Sequence, residues 1–236
     1  MKQLIAAFSL LLLVSCTTSK RLSYLTVPPE TAEDLYPIDL DSYADKYKDY
    51  DGVYLNVEEI IEHSGTKENM DIFSKWNYTQ IRKKSYVILN PDNINLTSYR
   101  TYYKPHIFYI RIMNPDGSVK MYGKEDLQKE KDILGDDIYT LIYPNVRKGS
   151  IVEYGTEISF GISYAPPPLE HDISLQFDIP CEKLSFKYMY PDWWDIQLKR
   201  RNQYSYCPAE FTEDFENKKK ILQYTASNIS ALEWEP

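Results

Sequence analysis

The sequence is poor in the side chains that metal centres and activated thiols require. Its 236 residues include three histidines and three cysteines, and these form none of the C-x-x-C, H-E-x-x-H or H-x-H patterns that bring metal ligands together. Cys181 follows a proline and Cys207 precedes one, so neither opens a helix that would lower the pKa of its thiol. Neighbouring carboxylates such as Glu58 and Glu59 point to opposite faces of a strand. The sequence therefore predicts no metal site, no cofactor and no catalytic residue, in a protein that is not an enzyme.

Positive charge is also scarce. The chain carries 27 lysines and arginines against 35 aspartates and glutamates, which gives a formal net charge of −8. Nucleic acids are bound by clustered cations that contact phosphates, so this balance excludes a nucleic-acid partner. The short basic runs, of which residues 82–84 are one, are interpreted as solvated strand faces or helix ends.

Glycine is scarce as well, whereas tyrosine is abundant, with 8 and 22 residues respectively. Tyrosine favours the half-buried surface of a pleated sheet, where its ring packs and its hydroxyl stays wet. The hydrophobic fraction of 43% is sufficient for a core. The composition as a whole favours sheet over helix.

No apolar run is long enough to span a membrane. The run at residues 4–14 follows Lys2 and is shorter than the roughly 20 residues that a spanning helix needs. It is typical of the hydrophobic region of a secretory signal peptide. Residues 13–16, LVSC, resemble the bacterial lipobox, in which the cysteine is lipidated and the chain is cut before it. The sequence predicts a lipoprotein signal peptide over residues 1–15 with lipidation at Cys16; the alternative is an ordinary secretory peptide with a chance cysteine.

Residues 16–49 are polar and punctuated by proline. They are predicted to form the lipidated N-terminus and a tether, with one short helical turn near residues 43–47. Several acyl chains on Cys16 would give stable anchoring. The membrane is therefore one predicted partner, and the predicted location is the bacterial cell envelope, at the outer membrane, on its periplasmic side or at the cell surface.

Residues 50–224 show the pattern of many short strands. Apolar and polar residues alternate in several segments, among them residues 53–57, 173–179 and 184–190, and turn signals separate the segments. Pro115 and Gly117 supply one such turn in the central stretch, residues 106–162. The predicted fold class is all-β, an antiparallel β-sandwich with a short helical segment at residues 124–134. Residues 225–236 are predicted to be a linker-like tail.

Two pairs of residues are singled out as candidate sites. If Cys16 is lipidated, Cys181 and Cys207 remain in an oxidising compartment, and a disulfide between them would stabilise the fold by ~2–4 kcal/mol. Trp193 and Trp194 have two interpretations: an aromatic platform that binds a sugar, or packing in a core or interface, which is the commoner role.

Residues 50–202 resemble the domain-of-unknown-function 3857 family. The resemblance rests on the segments DYDGVYLNVEEI, IRIMNPDGSVKMY, IYPNVRKGSIVEYGTEIS and FDIPCEKLSFKYMYP. Members of this family stand before transglutaminase-like domains in secreted bacterial proteins, notably of Bacteroidota. The resemblance implies an antiparallel β-sandwich of unassigned activity, with catalysis in the following domain. That domain carries Cys, His and Asp in this order, whereas every histidine here precedes Cys181 and Cys207, so no triad is transferred.

The leading prediction is a lipid-anchored module with a non-catalytic binding or positioning role. Its partner would be a peptide, a glycan or a transglutaminase-like protein, and an exposed edge strand would accept an extended peptide by β-augmentation. The first alternative is an accessory or truncated N-terminal part of a transglutaminase-like, papain-fold enzyme system. The second is a carbohydrate-binding module that uses Trp193 and Trp194.

Overall fold

The computed structural model describes residues 25–28, 39–65, 76–162, 177–194, 210–216 and 219–232. Within them lie one helix, α1 (Leu40–Lys46), and eleven strands. The strands are β1 (Gly52–Ser64), β2 (Trp76–Ile88), β3 (Ser98–Thr101), β4 (Ile107–Met113), β5 (Val119–Gly123), β6 (Gln128–Lys131), β7 (Asp137–Ile142), β8 (Ile151–Ile162), β9 (Cys181–Pro191), β10 (Glu210–Glu216) and β11 (Lys219–Ile229). The all-β class is therefore confirmed. No helix in these ranges has the length and hydropathy needed to cross a bilayer.

Eight strands form one large sheet, in the order β10-β11-β9-β1-β2-β8-β4-β5. Its pairings are antiparallel except for that of β1 with β9, which is parallel. The prediction of a purely antiparallel fold is therefore wrong: the sheet is mixed. Tight turns force neighbouring strands to be antiparallel, but β9 follows β1 after a long excursion of the chain, so no turn sets its direction.

The three remaining strands form a small sheet in the order β3-β7-β6. It includes part of the segment predicted to be helical, residues 124–134, and this prediction is wrong. The Asp126 carboxylate accepts a hydrogen bond from the Gly123 N–H at 2.8 Å, β6 then pairs with β7, and Gly135 closes the next turn with a φ of +87°. Helix propensity in so short a segment is a weak preference, and strand pairing outweighs it. The helical turn predicted near residues 43–47 is confirmed as part of α1.

The small sheet covers one half of one face of the large sheet, which we call the inner face. A single cluster joins the two sheets: Tyr86 and Ile88 of β2 and Ile110 of β4 pack with Leu141 of β7 and with Tyr143. Further along the inner face a second cluster joins β1, β9 and β11. Its members include Val57, Ile61, Leu184, Phe186, Tyr188, Leu222 and Tyr224. The inner face thus carries two apolar clusters side by side.

The opposite, outer face carries part of the N-terminal segment. Leu25 is buried against Ile81 and Tyr109, and α1 packs beside Val53, Leu55, Val87 and Ile151. The Glu182 carboxylate of β9 accepts hydrogen bonds from the hydroxyls of Tyr43 at 2.6 Å and Tyr47 at 3.1 Å. Of the predicted polar tether, residues 16–49, the structure describes residues 25–28 and 39–49, and within these ranges Leu25, Leu40, Tyr43 and Tyr47 pack on the sheet.

The C-terminal boundary also differs from the prediction. β11 continues to Ile229 and pairs with β9 as far as Cys181, so the boundary predicted after Tyr224 falls inside a strand. Ala226 and Ile229 are buried in the second inner-face cluster, which explains the extension. Most of the alternating segment at residues 173–179 lies outside the described residues.

Candidate functional site

A strip of polar side chains separates the two apolar clusters of the inner face. It consists of Glu59 on β1 and Gln80, Arg82 and Lys84 on β2, and we call it the polar strip. The register places Glu59 opposite Arg82 and places Lys84 opposite Tyr154 of β8. Because side chains alternate along a strand, Gln80, Arg82 and Lys84 share one face, whereas Lys83 points to the outer face, where it pairs with Glu58 at 3.6 Å.

The Glu59 carboxylate organises one half of the strip. Its Oε1 accepts hydrogen bonds from Gln80 Nε2 at 2.5 Å and from Arg82 Nε at 2.9 Å. Burial alone would lower the pKa of Arg82, but the charge of Glu59 and its hydrogen bond outweigh burial and raise that pKa. Arg82 is therefore always protonated, and the N–H donors of its planar guanidinium group are held in a fixed orientation.

Arg82 keeps donors available for a ligand. Its side chain is 48% exposed, compared with 22% for Glu59. Only Nε of its guanidinium is hydrogen-bonded within the described part of the chain, so the two terminal nitrogens face solvent. A guanidinium presenting two such nitrogens matches the two oxygens of a carboxylate.

Lys84 lies among aromatic rings. Its Nζ is 5.1 Å from the ring centroid of Tyr54 and 5.4 Å from that of Phe177, distances at which a cation is attracted to the face of a ring. No carboxylate pairs with Lys84 within the described residues. The strip therefore carries two cations against the single carboxylate of Glu59, and its local charge is opposite in sign to that of the chain as a whole.

Tyrosines border the strip. Tyr99 of β3 and Tyr154 of β8 meet edge to face with centroids 5.5 Å apart. Burial raises the pKa of Tyr54, Tyr99 and Tyr154 to about 12 each. These phenols therefore stay protonated at neutral pH and are able to donate hydrogen bonds. Fixed cations beside neutral hydroxyls form a surface suited to binding an anionic group.

The predicted aromatic pair lies at one end of the inner face. Trp193 and Trp194 are partly buried, and their rings are nearly perpendicular, at 85° with centroids 6.0 Å apart. Two perpendicular rings do not make one flat stacking surface. Trp194 also packs on the second apolar cluster and lies 5.4 Å from the buried ring of His63. The packing interpretation describes Trp194 better than the sugar-platform interpretation.

The predicted cysteine sites are only partly described. Cys16 and Cys207 lie outside the described residues, so neither the lipidation site nor the disulfide partner is placed. Cys181 begins β9 and is 1% exposed, in the second apolar cluster. Among the described residues there is also no group of histidines, cysteines and carboxylates placed to hold a metal ion.

The sequence did contain the signal for the polar strip, in the basic run at residues 82–84. Sequence alone favours a solvated strand face or a helix end for that run. The alternation of β2 instead divides it: Arg82 and Lys84 belong to the inner face and Lys83 to the outer face. What the sequence could not show is the pairing of β2 with Glu59 on one side and Tyr154 on the other.

Comparison with known proteins supports the fold. No protein-family model and no curated protein matches the sequence. A crystal structure from Parabacteroides distasonis, described as "a putative protease", matches with a TM-score of 0.55 at 11% identity over 78% of this chain. This chain spans 37% of the length of that protein. An acetylcholine-binding protein from Bulinus truncatus aligns over 80% of this chain and 96% of its own length, at 8% identity and a TM-score of 0.17. The described chain is thus a β-rich domain similar to part of a longer bacterial protein.

Proposed function

We propose that this protein is a lipid-anchored module of the bacterial cell envelope whose role is to bind or position a partner without catalysis. The observation that carries the proposal is the polar strip: two cations, Arg82 and Lys84, held by Glu59 and by aromatic rings on an accessible part of the inner face. A lysine or arginine that only kept a strand face soluble would not need an ion pair or aromatic rings to hold its side chain.

We further propose that the two sheets form an unequal β-sandwich of the 3857 family. The shared cluster that joins Tyr86, Ile110 and Leu141 supports the sandwich, with the parallel pairing of β1 and β9 as its departure from the antiparallel type. The similarity to part of the Parabacteroides distasonis protein, with a TM-score of 0.55, supports a shared β-rich fold.

The anchor is tested by metabolic labelling. Cells expressing the full chain are fed an alkyne-bearing fatty acid, and the protein is recovered, coupled to a fluorophore and examined on a gel. The proposal expects label on the wild type, none on Cys16→Ser, and full label on Cys181→Ser. A secreted but unlabelled wild type would establish the ordinary secretory peptide and remove the anchor from the proposal.

The binding role is tested by comparing two double variants. Envelope fractions are passed over the immobilised wild type, over Arg82→Gln with Lys84→Gln, and over Lys83→Gln with Lys187→Gln as the matched control on other positions. The proposal expects a fraction that the wild type and the control retain and the strip variant releases. Equal retention by all three would show that the strip is not the binding surface.

A second candidate function is an accessory or N-terminal part of a transglutaminase-like enzyme system. The observation in its favour is that this chain matches 37% of the length of a longer protein. Co-purification from the native organism separates the two candidates: a papain-fold protein recovered in stoichiometric amount supports the enzyme system. If the purified chain turned over a peptide or glutamine substrate by itself, both candidates would be wrong, because each assigns catalysis elsewhere.

A further inference from the structure

We infer that the polar strip and the neighbouring edge of β3 together bind an extended peptide that carries carboxylate side chains. The inference rests on the proposed binding function and names its ligand. It joins two observations: a backbone edge at which β3 has no strand beside it in the described part of the chain, and the surplus of positive charge next to that edge.

The first observation concerns the backbone of β3. β3 is an outer strand of the small sheet and pairs with β7 alone within the described residues. The Thr97 carbonyl accepts a hydrogen bond from the Tyr143 N–H at 2.9 Å, and the register continues with Ser98 opposite Ile142. Because hydrogen-bonded and non-hydrogen-bonded positions alternate in an antiparallel pair, the N–H and C=O of Arg100 point away from β7. They are positioned to pair with an added strand.

The second observation concerns the position of this edge. Tyr99 of β3 contacts Tyr154, and Tyr154 lies opposite Lys84 in the large sheet. Tyr99 also packs on Phe108 of β4 at 4.8 Å, so β3 lies over β8 and β4, and β8 is the strand next to the β2 residues of the polar strip. Packed sheets lie about 10 Å apart and neighbouring strands about 4.8 Å apart, so a strand added beside β3 would run above the strip. Lys and Arg side chains reaching up from β2 and carboxylates reaching down would share that space.

Charge selects the chemistry of the added strand. Arg82 presents its terminal guanidinium nitrogens and Lys84 its ammonium, while Glu59 already shares its charge with Arg82. Alternate side chains of a strand point to the same face. A peptide with a carboxylate at every second position would therefore place each of them toward the strip. A peptide with lysine at those positions would be repelled.

Fluorescence anisotropy with the full chain in detergent tests the inference. The probe is a labelled seven-residue peptide of alternating threonine and glutamate, and the comparison peptides carry glutamine or lysine in place of glutamate. We expect the glutamate peptide to bind, the glutamine peptide to bind at least about tenfold more weakly, and the lysine peptide not to bind, because a charge-assisted hydrogen bond contributes that much.

Two pairs of variants separate the charge from the backbone. Arg82→Gln with Lys84→Gln should weaken the glutamate peptide at least about tenfold, while Lys83→Gln, on the same strand but the other face, should leave it unchanged. Arg100→Ala keeps the backbone N–H and should bind, whereas Arg100→Pro removes it and should not. Circular dichroism melting curves confirm that each variant is folded.

Several results would overturn the inference. Equal binding of the three peptides would remove the role of charge. Full binding of the glutamate peptide by Arg100→Pro would show that the site binds carboxylates without pairing to the backbone of β3. Displacement of the probe by polygalacturonate at equal carboxylate concentration, with no effect of Arg100→Pro, would show the same. Failure of the peptide inference would leave the proposed binding function open to its own test, the retention of envelope fractions by the wild type and the strip variant. Failure of the inference and failure of the proposed function are therefore distinguishable.

Discussion

Replacing Glu182 by glutamine tests whether the N-terminal segment is a structural part of the domain. The Glu182 carboxylate accepts hydrogen bonds from the hydroxyls of Tyr43 and Tyr47 and, at 3.3 Å, from the Lys46 ammonium. Two residues of α1 and its C-terminal cap, Tyr47, therefore contact one side chain of β9. The side chain of Glu182 is 21% exposed and that of Lys46 is 55% exposed. The hydroxyl contacts are therefore the ones that matter, because an exposed ion pair adds little.

The magnitude follows from these contacts. A hydrogen bond to a charged group contributes about 1.5–3 kcal/mol. Glutamine keeps one acceptor oxygen and loses the charge, so we expect Glu182→Gln to lower the free energy of unfolding by about 2 kcal/mol, or the melting temperature by about 4–8 °C in a domain of this size. Lys46→Gln should change the free energy of unfolding by less than about 0.5 kcal/mol.

The pH dependence gives an independent check. Burial would raise the pKa of Glu182, but the hydrogen bonds from Tyr43, Tyr47 and Lys46 outweigh it and lower that pKa below its ordinary value of 4.5. A carboxyl with a lowered folded-state pKa stabilises the fold above the unfolded pKa and loses that contribution as the pH falls through the folded pKa. The wild type should therefore lose its advantage over Glu182→Gln below about pH 4.5.

Urea unfolding followed by tryptophan fluorescence measures the free energy, and hydrogen exchange at residues 40–47 shows whether α1 is released first. Unchanged stability in Glu182→Gln at pH 7, with α1 still protected, would refute the reasoning. It would mean that the apolar contacts of Tyr47 with Val53 and Ile151 hold the segment by themselves.

Three further predictions follow from other parts of the fold. Gly52→Ala should lower the free energy of unfolding by about 2 kcal/mol or more. The added Cβ would lie 2.7 Å from the Val87 carbonyl oxygen and 2.9 Å from Leu96 Cδ1. The control is Gly117→Ala, at an open turn position, which should lower the free energy of unfolding only by the smaller backbone strain of its positive φ. Glu153→Ala should lower the free energy of unfolding by about 1.5–3 kcal/mol, because it removes an ion-pair partner of the buried Arg111 and the acceptor of the Tyr109 hydroxyl. Lys129→Ala, in a pair that is 55% exposed at lysine, should change it by less than about 0.5 kcal/mol in the same urea titrations. Absorbance at 295 nm should show that Tyr54, Tyr78, Tyr99 and Tyr154 resist ionisation below about pH 12. Their ionisation should therefore leave stability unaffected below pH 10 and lower it above pH 10. Ionisation of all tyrosines near pH 10 in the folded protein would contradict this.

The strands were predictable because alternation is a local property. β1 and β9 contain segments whose apolar residues recur at every second position, residues 53–57 and 184–190, and Gly117 stands at its turn in the central stretch with a φ of +79°. The parallel pairing of β1 with β9 was not predictable, because it depends on a long connection rather than on a turn. The prediction of a helix at residues 124–134 was wrong for the opposite reason. It relied on local composition, whereas pairing with β7 determines the structure of this segment.

The candidate site was less predictable than the fold. Each member of the polar strip is an ordinary strand residue, and only the register of β1, β2 and β8 brings Glu59, Arg82 and Tyr154 together. The residues that the sequence did single out, Trp193 and Trp194, owe their prominence to composition, and composition does not report the angle between two rings.

The use of the two faces connects the proposed anchor to the proposed ligand. Leu25 and α1 occupy part of the outer face, whereas the polar strip lies between the two apolar clusters of the inner face. Cys16 and Leu25 are nine positions apart in the sequence, and an extended chain spans at most about 3.3–3.6 Å per residue. A lipid on Cys16 would therefore hold the outer face within about 30 Å of the bilayer, while the polar strip lies on the opposite face of the sheet. On this geometry the anchor and the ligand do not compete for the same surface, and a partner is able to reach the strip while the protein remains bound to the membrane.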